Sequence, residues 1–418
     1  MKTSITIPGL VIFLLLAIPS MAQILNLEQV KDSIRQAHPS LRMYDAEGRS
    51  MDAAAKGSWS WMPPEIGTGL FMMPYNPKFT RKTEMGDGMG QYVIGIEQMF
   101  PNRKRQSAEY RYMSTMSSVV KEKKQAALNE LIADAKKNYF EWVVIKMKFG
   151  VLDQNEKLLE FMIKNAEIRY KNGLGKLSAY YKAKAALGNI QNMRLMLEND
   201  IRLLRINLNT LMNRDKEINF DIDTIFSIND YTNNQLDSTT FIKSRSDVRA
   251  IERDIQLVGL EQQLEQAKLF PEFGFRYEHM FGLGGQPAQY TLMAIVRLSF
   301  TSWASRMSKA NIESLRWRRE SLRFERQMVI NELSGMASNM RTEFNTKRKQ
   351  LKLYEENIIP ALQNNYNTMQ LSYEQNTEEL FELYDAWETL NMTQLEYLDQ
   401  LQQLLIIQVE LERILEIK

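Results

Sequence analysis

The chain contains no cysteine and only two histidines, His38 and His279. Without a thiol there is no disulfide, no thiolate metal site, no cysteine nucleophile and no lipid attached through an amino-terminal cysteine. Two scattered histidines and no Gly-rich phosphate loop after a strand leave nothing to nominate a catalytic centre. The chain is therefore read as no enzyme, with no catalytic residue, no cofactor site and no resident metal. Charge of one sign is missing too, since 53 basic against 51 acidic residues leave +2; no overall field recommends nucleic acid as a partner. Beyond residue 22 no apolar run is long enough to span a bilayer as a helix. If the mature chain enters a membrane, it must do so as a β-barrel.

What is present begins with residues 1–22: Lys2, the apolar "IPGLVIFLLLAI" and the small-residue end "SMA". That combination predicts a secretory signal peptide, too short in its apolar core to be a membrane anchor.

Proline placement divides the rest. Pro63, Pro64, Pro74, Pro77 and Pro101 crowd one region, Pro271 and Pro287 mark another, and none lies between Pro101 and Pro271. Proline inside a helix costs about 3 kcal/mol, so this gap, rich in Lys, Glu, Leu, Ala and Gln, predicts long helices. "SSVVKEKKQAALNELIADAKKNYFEWVVIKMKFG" keeps apolar residues three and four apart, the spacing of a helix with one buried stripe. "SLRFERQMVINELSGMASNMRTEFNTKRKQLKLYEENIIPALQNNY" does the same, and Pro360 within it predicts a kink or short break. Helices of about 60 residues would reach roughly 90 Å.

The proline-rich regions switch to period two. In "FPEFGFRYEHMFGLGG", Phe273, Phe275, Tyr277 and His279 alternate with Glu272, Gly274, Arg276 and Glu278. In "YTLMAIVRLSF", Tyr290, Leu292, Ala294, Val296, Leu298 and Phe300 alternate with Thr291, Arg297 and Ser299. An apolar strand face opposite a charged one suits a wall between lipid and a water-filled lumen. Phe273, Phe275, Tyr277, Tyr290, Leu292 and Val296 are expected on the lipid side, and Glu272, Arg276, Glu278 and Arg297 in the lumen.

The pattern is written twice. "PEIGTGLFMM" at Pro64 returns as "PEFGFRYEHM" at Pro271, and "RYKNGLGKLSAYYKAKAAL" at Arg169 returns 203 residues on as "SYEQNTEELFELYDAWETL" at Ser372. The expected organisation is a first repeat over 23–212, a polar joint over 213–245 and a second repeat over 246–418, with strand hairpins at about 64–100 and 271–301. Each repeat holds two strands, hence four per chain. The smallest membrane barrels use about eight strands, so other copies of the chain must complete the wall, in a symmetric ring.

The ordered set of elements resembles the TolC-like outer membrane efflux protein family along essentially the whole mature chain. "LNLEQVKDSIRQAHPSLRMYDAE" is similar to that family's opening helix, with His38-Pro39 where Asn-Pro is commoner, and "YKNGLGKLSAYYKAKAAL" and "SYEQNTEELFELYDAWETLNMTQLEYL" resemble its two periplasmic tips. The resemblance implies a homotrimer whose 12-stranded β-barrel contacts outer membrane lipid in a Gram-negative cell, above a periplasmic α-barrel of duplicated helical hairpins. It implies docking to a periplasmic adaptor (membrane fusion) protein and an inner-membrane pump, in a tripartite efflux or type I secretion system. Gly173 and Leu174 match the family's first tip turn, and Asn376 and Thr377 stand where its second carries Gly-Thr; these are the expected adaptor contacts. Glu382 and Asp385 match acidic residues that line the family's narrow periplasmic entrance. Ala179 departs from the family, which often has an acid there.

Of 25 methionines, Met72, Met73, Met85, Met89, Met99 and Met280 fall in or near the strands. Thioethers suit soft cations, which makes copper or heavy-metal efflux the alternative to drugs or other small molecules as cargo. A periplasmic coiled-coil scaffold or adaptor is the alternative to a channel; it explains the helices but not the two matched strand hairpins.

Overall fold

The computed structural model describes residues 23–84, 86–173, 175–231, 245–375 and 377–417. The expected signal segment 1–22, Met85, the turn residues Leu174 and Asn376, and residues 232–244 of the expected joint lie outside the described residues. The chain is mainly helical, 71% helix with a few strands, as its proline-free stretches and period-two segments require. It divides into two compact units, built from interleaved parts of the sequence.

The first unit takes in the described residues to Ile34, Ala135–Ser227 and Glu356–Gln402. Strand β1 (Gln23–Leu25) pairs in parallel with β4 (Phe220–Ile222). Neither strand was expected: β4 is three residues of an otherwise polar joint, and its partner is far away in sequence. Phe220 and Ile222 are nonetheless fully buried, with the Trp142 ring 5.2 Å from that of Phe220. The Tyr139 hydroxyl donates to the Asp223 carbonyl at 2.7 Å, and Lys146 reaches both the Asp221 carboxylate and the Ile222 carbonyl. Burial, with Asp223 beside it, raises the Tyr139 hydroxyl to about 12, so it remains a donor across the physiological range. Helix α1 (Leu27–Ala37) starts with a reciprocal cap, Gln29 N–H donating to Asn26 Oδ1 and Asn26 N–H to Gln29 Oε1.

Helix α3 runs from Arg103 to Lys171 without interruption, and α4 follows over Leu177–Leu211. Within the first unit Leu152, Leu159, Met162, Ile190 and Leu204 are buried along their inner stripes. Helix α6 (Arg306–Leu353) does not simply break at Pro360; a π turn over Tyr354–Ile358 leads into α7 (Ile359–Glu374), which carries the proline in its first turn. Proline lacks an N–H and crowds the carbonyl four residues earlier, and widening one turn relieves both. Helix α8 covers Leu380–Leu415.

The second unit holds the remaining parts, Arg35–Asp134, Ile228–Glu355 and Gln403–Lys418. Its sheet has the order β2 (Glu65–Phe71), β3 (Gln91–Phe100), β5 (Glu272–Gly282), β6 (Gln289–Arg297), every neighbour antiparallel. Strand β6 stops at Arg297 because β5 begins opposite it, at Glu272. Leu298 and Phe300, expected on the strand, therefore lie beyond it. Helices α2 (Pro39–Lys56) and α5 (Ser246–Ala267) belong to the same unit, where α5 packs against α6. His38 caps α2, its Nδ1 accepting from the Ser40 N–H, and Arg245 donates to the Arg413 and Ile414 carbonyls at the end of α8.

Candidate functional site

Two regions carry the sequence-derived candidates, one in each unit. In the sheet, directly opposed residues of antiparallel strands share a face. Glu272 opposes Arg297, Arg276 opposes Met293 and Glu97, and Glu278 opposes Thr291; the four expected lumen residues thus stand on one face. On the other, Phe273 opposes Val296, Tyr277 opposes Leu292, and Phe275 opposes Ala294. Tyr290 shares that face, its ring 6.2 Å from Tyr277. These side chains are exposed, Tyr290 by 71%, so the sheet turns its apolar face outward rather than over a core.

The charged face is internally paired, which the sequence reading did not include. Glu272, only 4% exposed, accepts from Arg105 at 2.8 Å and from Arg297 at 3.3 Å. The Arg276 Nε donates to Glu97 at 2.8 Å. Glu97 was legible, since "QYVIGIEQMF" alternates just as β5 does; Arg105 was not, because it lies on helix α3. The strand methionines Met99, Met280 and Met293 occupy three different rows of this face.

The glycines ending the motif close the hairpin. Gly284 has φ +63° and a side chain there would meet the Thr80 carbonyl at 2.4 Å, so only glycine fits. Its carbonyl accepts from the Gly88 N–H at 2.8 Å, and the Leu283 N–H donates to Gly90, tying the β5–β6 turn to the β2–β3 loop.

In the first unit, α3 ends at a turn in which Gly173 has φ +72°, and α7 passes through Thr377, bonded by N–H and hydroxyl to the Ser372 carbonyl, into α8. A cleft of about 860 Å³ lies between these turns, lined by Gly173, Ala179, Thr377 and Glu382 among others. Sequence reasoning missed the side chains that join its sides. Lys176 meets the Glu379 carboxylate at 3.0 and 3.2 Å. Lys182 stands over Phe381 and Tyr384 at 4.2 and 4.1 Å, and Arg169 over Tyr373 at 4.8 Å. Burial, with Glu388 beside it, holds the Tyr384 hydroxyl at about 12.

Glu382 and Asp385 are exposed on one face of α8, while Leu383, Tyr384, Ala386 and Trp387 face inward. Neither carboxylate forms an ion pair with a described residue. Trp387 donates to Asn155 Oδ1 at 2.5 Å, and Asn155 to Asn391 at 2.7 Å, so the inward face is pinned while the acidic face is free.

No family model matches the sequence, and no curated protein does. Among solved structures the chain is similar to the outer-membrane channel OprN, with 13% identity, 93% of this chain and 89% of that one covered, and a TM-score of 0.74. It is similar to CusC, studied for folding and transmembrane channel formation, with 12% identity, 93% and 91% covered, and 0.74. It is also similar to the outer membrane protein VceC of Vibrio cholerae, with 14% identity, 93% and 95% covered, and 0.72. The likeness is one of fold, and the fold is that of the TolC-like outer membrane channels.

Proposed function

We propose that this chain, folded like the TolC-like outer membrane channels, is the exit duct of a tripartite efflux or type I secretion system. Its role is passive conduction, not catalysis. The observation that carries this reading is the four-stranded sheet, whose apolar face is exposed and whose edge strands β2 and β6 have no outer partner among the described residues. Such a sheet is a poor structure in water and a suitable segment of a membrane wall, where closure removes the edges. Three copies would supply 12 strands, with Phe273, Phe275, Tyr277, Tyr290, Leu292 and Val296 against outer membrane lipid and Glu272, Arg276, Glu278 and Arg297 toward the lumen. The duplicated helical hairpins would form the periplasmic extension.

The tips are the proposed docking points for a periplasmic adaptor delivering substrate from an inner-membrane pump, through Gly173, Leu174, Asn376 and Thr377. Glu382 and Asp385, repeated by symmetry, would ring the entrance and favour cations. Planar-bilayer conductance of the purified oligomer tests the proposal, comparing wild type with Glu382→Ala plus Asp385→Ala. Discrete channels whose cation preference falls in the double variant are expected. Channels with unchanged selectivity would remove the acidic ring and keep the duct; no channels from an assembled oligomer, even with the tips loosened, would remove the duct.

A further inference from the structure

Helix α3 opens with three consecutive cations, Arg103, Lys104 and Arg105, and has no acidic residue in its first turn. Cations at a helix start oppose the helix dipole, so an anion beside these three would be favourably placed. Arg105 has one, the Glu272 carboxylate on the charged face of the sheet. The others turn away from it. Arg103, Lys104 and Arg111, all exposed, and Ser107 line the opposite side of the helix and, with Gln263, Gln266 and Phe270, border an open pocket of about 420 Å³. No acidic residue is among those lining it, and Arg103 and Arg111 have no ion pair with a described residue. Lys104 is held over the Phe270 ring at 4.1 Å.

The surroundings identify the kind of anion. Arg105 meets the charged face through Glu272, and the pocket lies on the other side of α3, at the end of the sheet where β3 hands over to the helix. At that end of the sheet Trp61 packs edge-on against Phe100 at 5.1 Å, Phe100 opposes Phe273, and Trp59 contacts Tyr110 at 6.1 Å. Trp303, beyond the end of β6, is 77% exposed. Exposed tryptophans between an apolar strand face and a group of cations are the pattern of a membrane–water interface. Basic pockets at that level recognise lipid phosphates, with arginine forks matching phosphate oxygens.

We propose that this pocket holds the phosphate headgroup of an anionic phospholipid from the leaflet on the α3 side of the barrel, one per chain. The inference rests on the barrel reading above. Its occupant is a lipid rather than a free anion because the same unit presents the exposed apolar face of the sheet, with Phe273 and Val296 at this end of it, along which acyl chains would lie.

The test is native mass spectrometry of the delipidated oligomer incubated with phosphatidylglycerol, with uncharged diacylglycerol of the same chains and with glycerol phosphate. Wild type should retain phosphatidylglycerol at least tenfold over either fragment. Arg103→Gln/Lys104→Gln/Arg111→Gln should lose at least tenfold of that retention, while charge-matched Lys78→Gln/Arg81→Gln/Lys121→Gln and charge-conserving Arg103→Lys/Arg111→Lys should keep it. If the triple variant does not assemble, Arg111→Gln alone decides, with an expected loss of at least threefold. Undiminished retention in the deciding variant, or glycerol phosphate binding as tightly as the lipid, would overturn the proposal. Conductance of the same preparations reports the duct reading separately: silent wild-type oligomers would sink that reading, whereas conducting oligomers with indifferent lipid retention would sink only the pocket.

Discussion

Lys176 and Glu379 meet at 3.0 Å across the two tip turns, and their separation of 203 residues is the same spacing that relates the two tip motifs in the sequence. Positions aligned by that motif spacing thus carry opposite charges and meet. Both side chains are largely exposed, so solvent screening limits the pair to at most about 1 kcal/mol. Its expected effect is local. Glu379→Gln should leave the unfolding midpoint of the solubilised protein unchanged while amide exchange over residues 169–177 rises several-fold, and Lys176→Glu with Glu379→Lys should restore slow exchange. A global loss of stability in the single variant would refute this assignment.

Glu272 is the most buried of the charged sheet residues, and two arginines share its carboxylate. Glu272→Gln leaves Arg105 and Arg297 facing a neutral amide, an expected loss of about 1–3 kcal/mol. Arg276→Gln should cost less, because its partnership with Glu97 is more open to water. Thermal loss of the strand circular dichroism signal measures both, and the reverse ranking would show that the Glu272 cluster does not organise the sheet.

How much of this could be read from the amino acids depends on the range of each signal. The strands of the four-stranded sheet were legible because Phe273, Phe275 and Tyr277 alternate with Gly274 and Arg276 over a long run, and the turn after α3 because Gly173 follows the cationic end of a helix. Strand β4 was not, because "FDI" is three residues in the polar joint whose partner, Gln23–Leu25, lies about 200 residues earlier; parallel pairing at that distance leaves no local trace. The Arg105–Glu272 bridge was hidden for the same reason, joining a helix to a strand 167 residues further along the chain. Pro360 signalled a disturbance but not its form, since whether a helix kinks or widens is decided by the packing of the preceding turn. The Lys176–Glu379 pair was within reach of the sequence, because the repeat spacing already aligned the two residues.

The buried Trp387–Asn155–Asn391 chain should be less forgiving than any surface pair. Trp387→Phe removes the donor to Asn155 Oδ1 and leaves a buried acceptor unsatisfied, at about 1–3 kcal/mol. Asn155→Leu combined with Trp387→Phe should cost less than the two single losses summed, because the bond the two residues share is lost only once, although both variants carrying Asn155→Leu leave Asn391 Oδ1 without its donor. Denaturant unfolding of the four proteins of this cycle measures it; additive losses would mean that the hydrogen bond itself is immaterial.

His38 gives the α2 cap a pH dependence that the commoner Asn-Pro start would lack. Its Nδ1 accepts from the Ser40 N–H, which requires the unprotonated nitrogen, and burial lowers its pKa from 6.5. A histidine with a depressed folded-state pKa contributes stability that is fully present above its unfolded value and is lost as pH falls through the folded one. Stability near neutrality should therefore exceed that at pH about 5 by an increment that His38→Asn abolishes, since asparagine keeps a side-chain acceptor at every pH. The unfolding midpoint measured at both pH values for the two proteins gives the increment directly. An acid-side loss of equal size in His38→Asn would assign the pH dependence to other groups and leave the His38 cap indifferent to protonation.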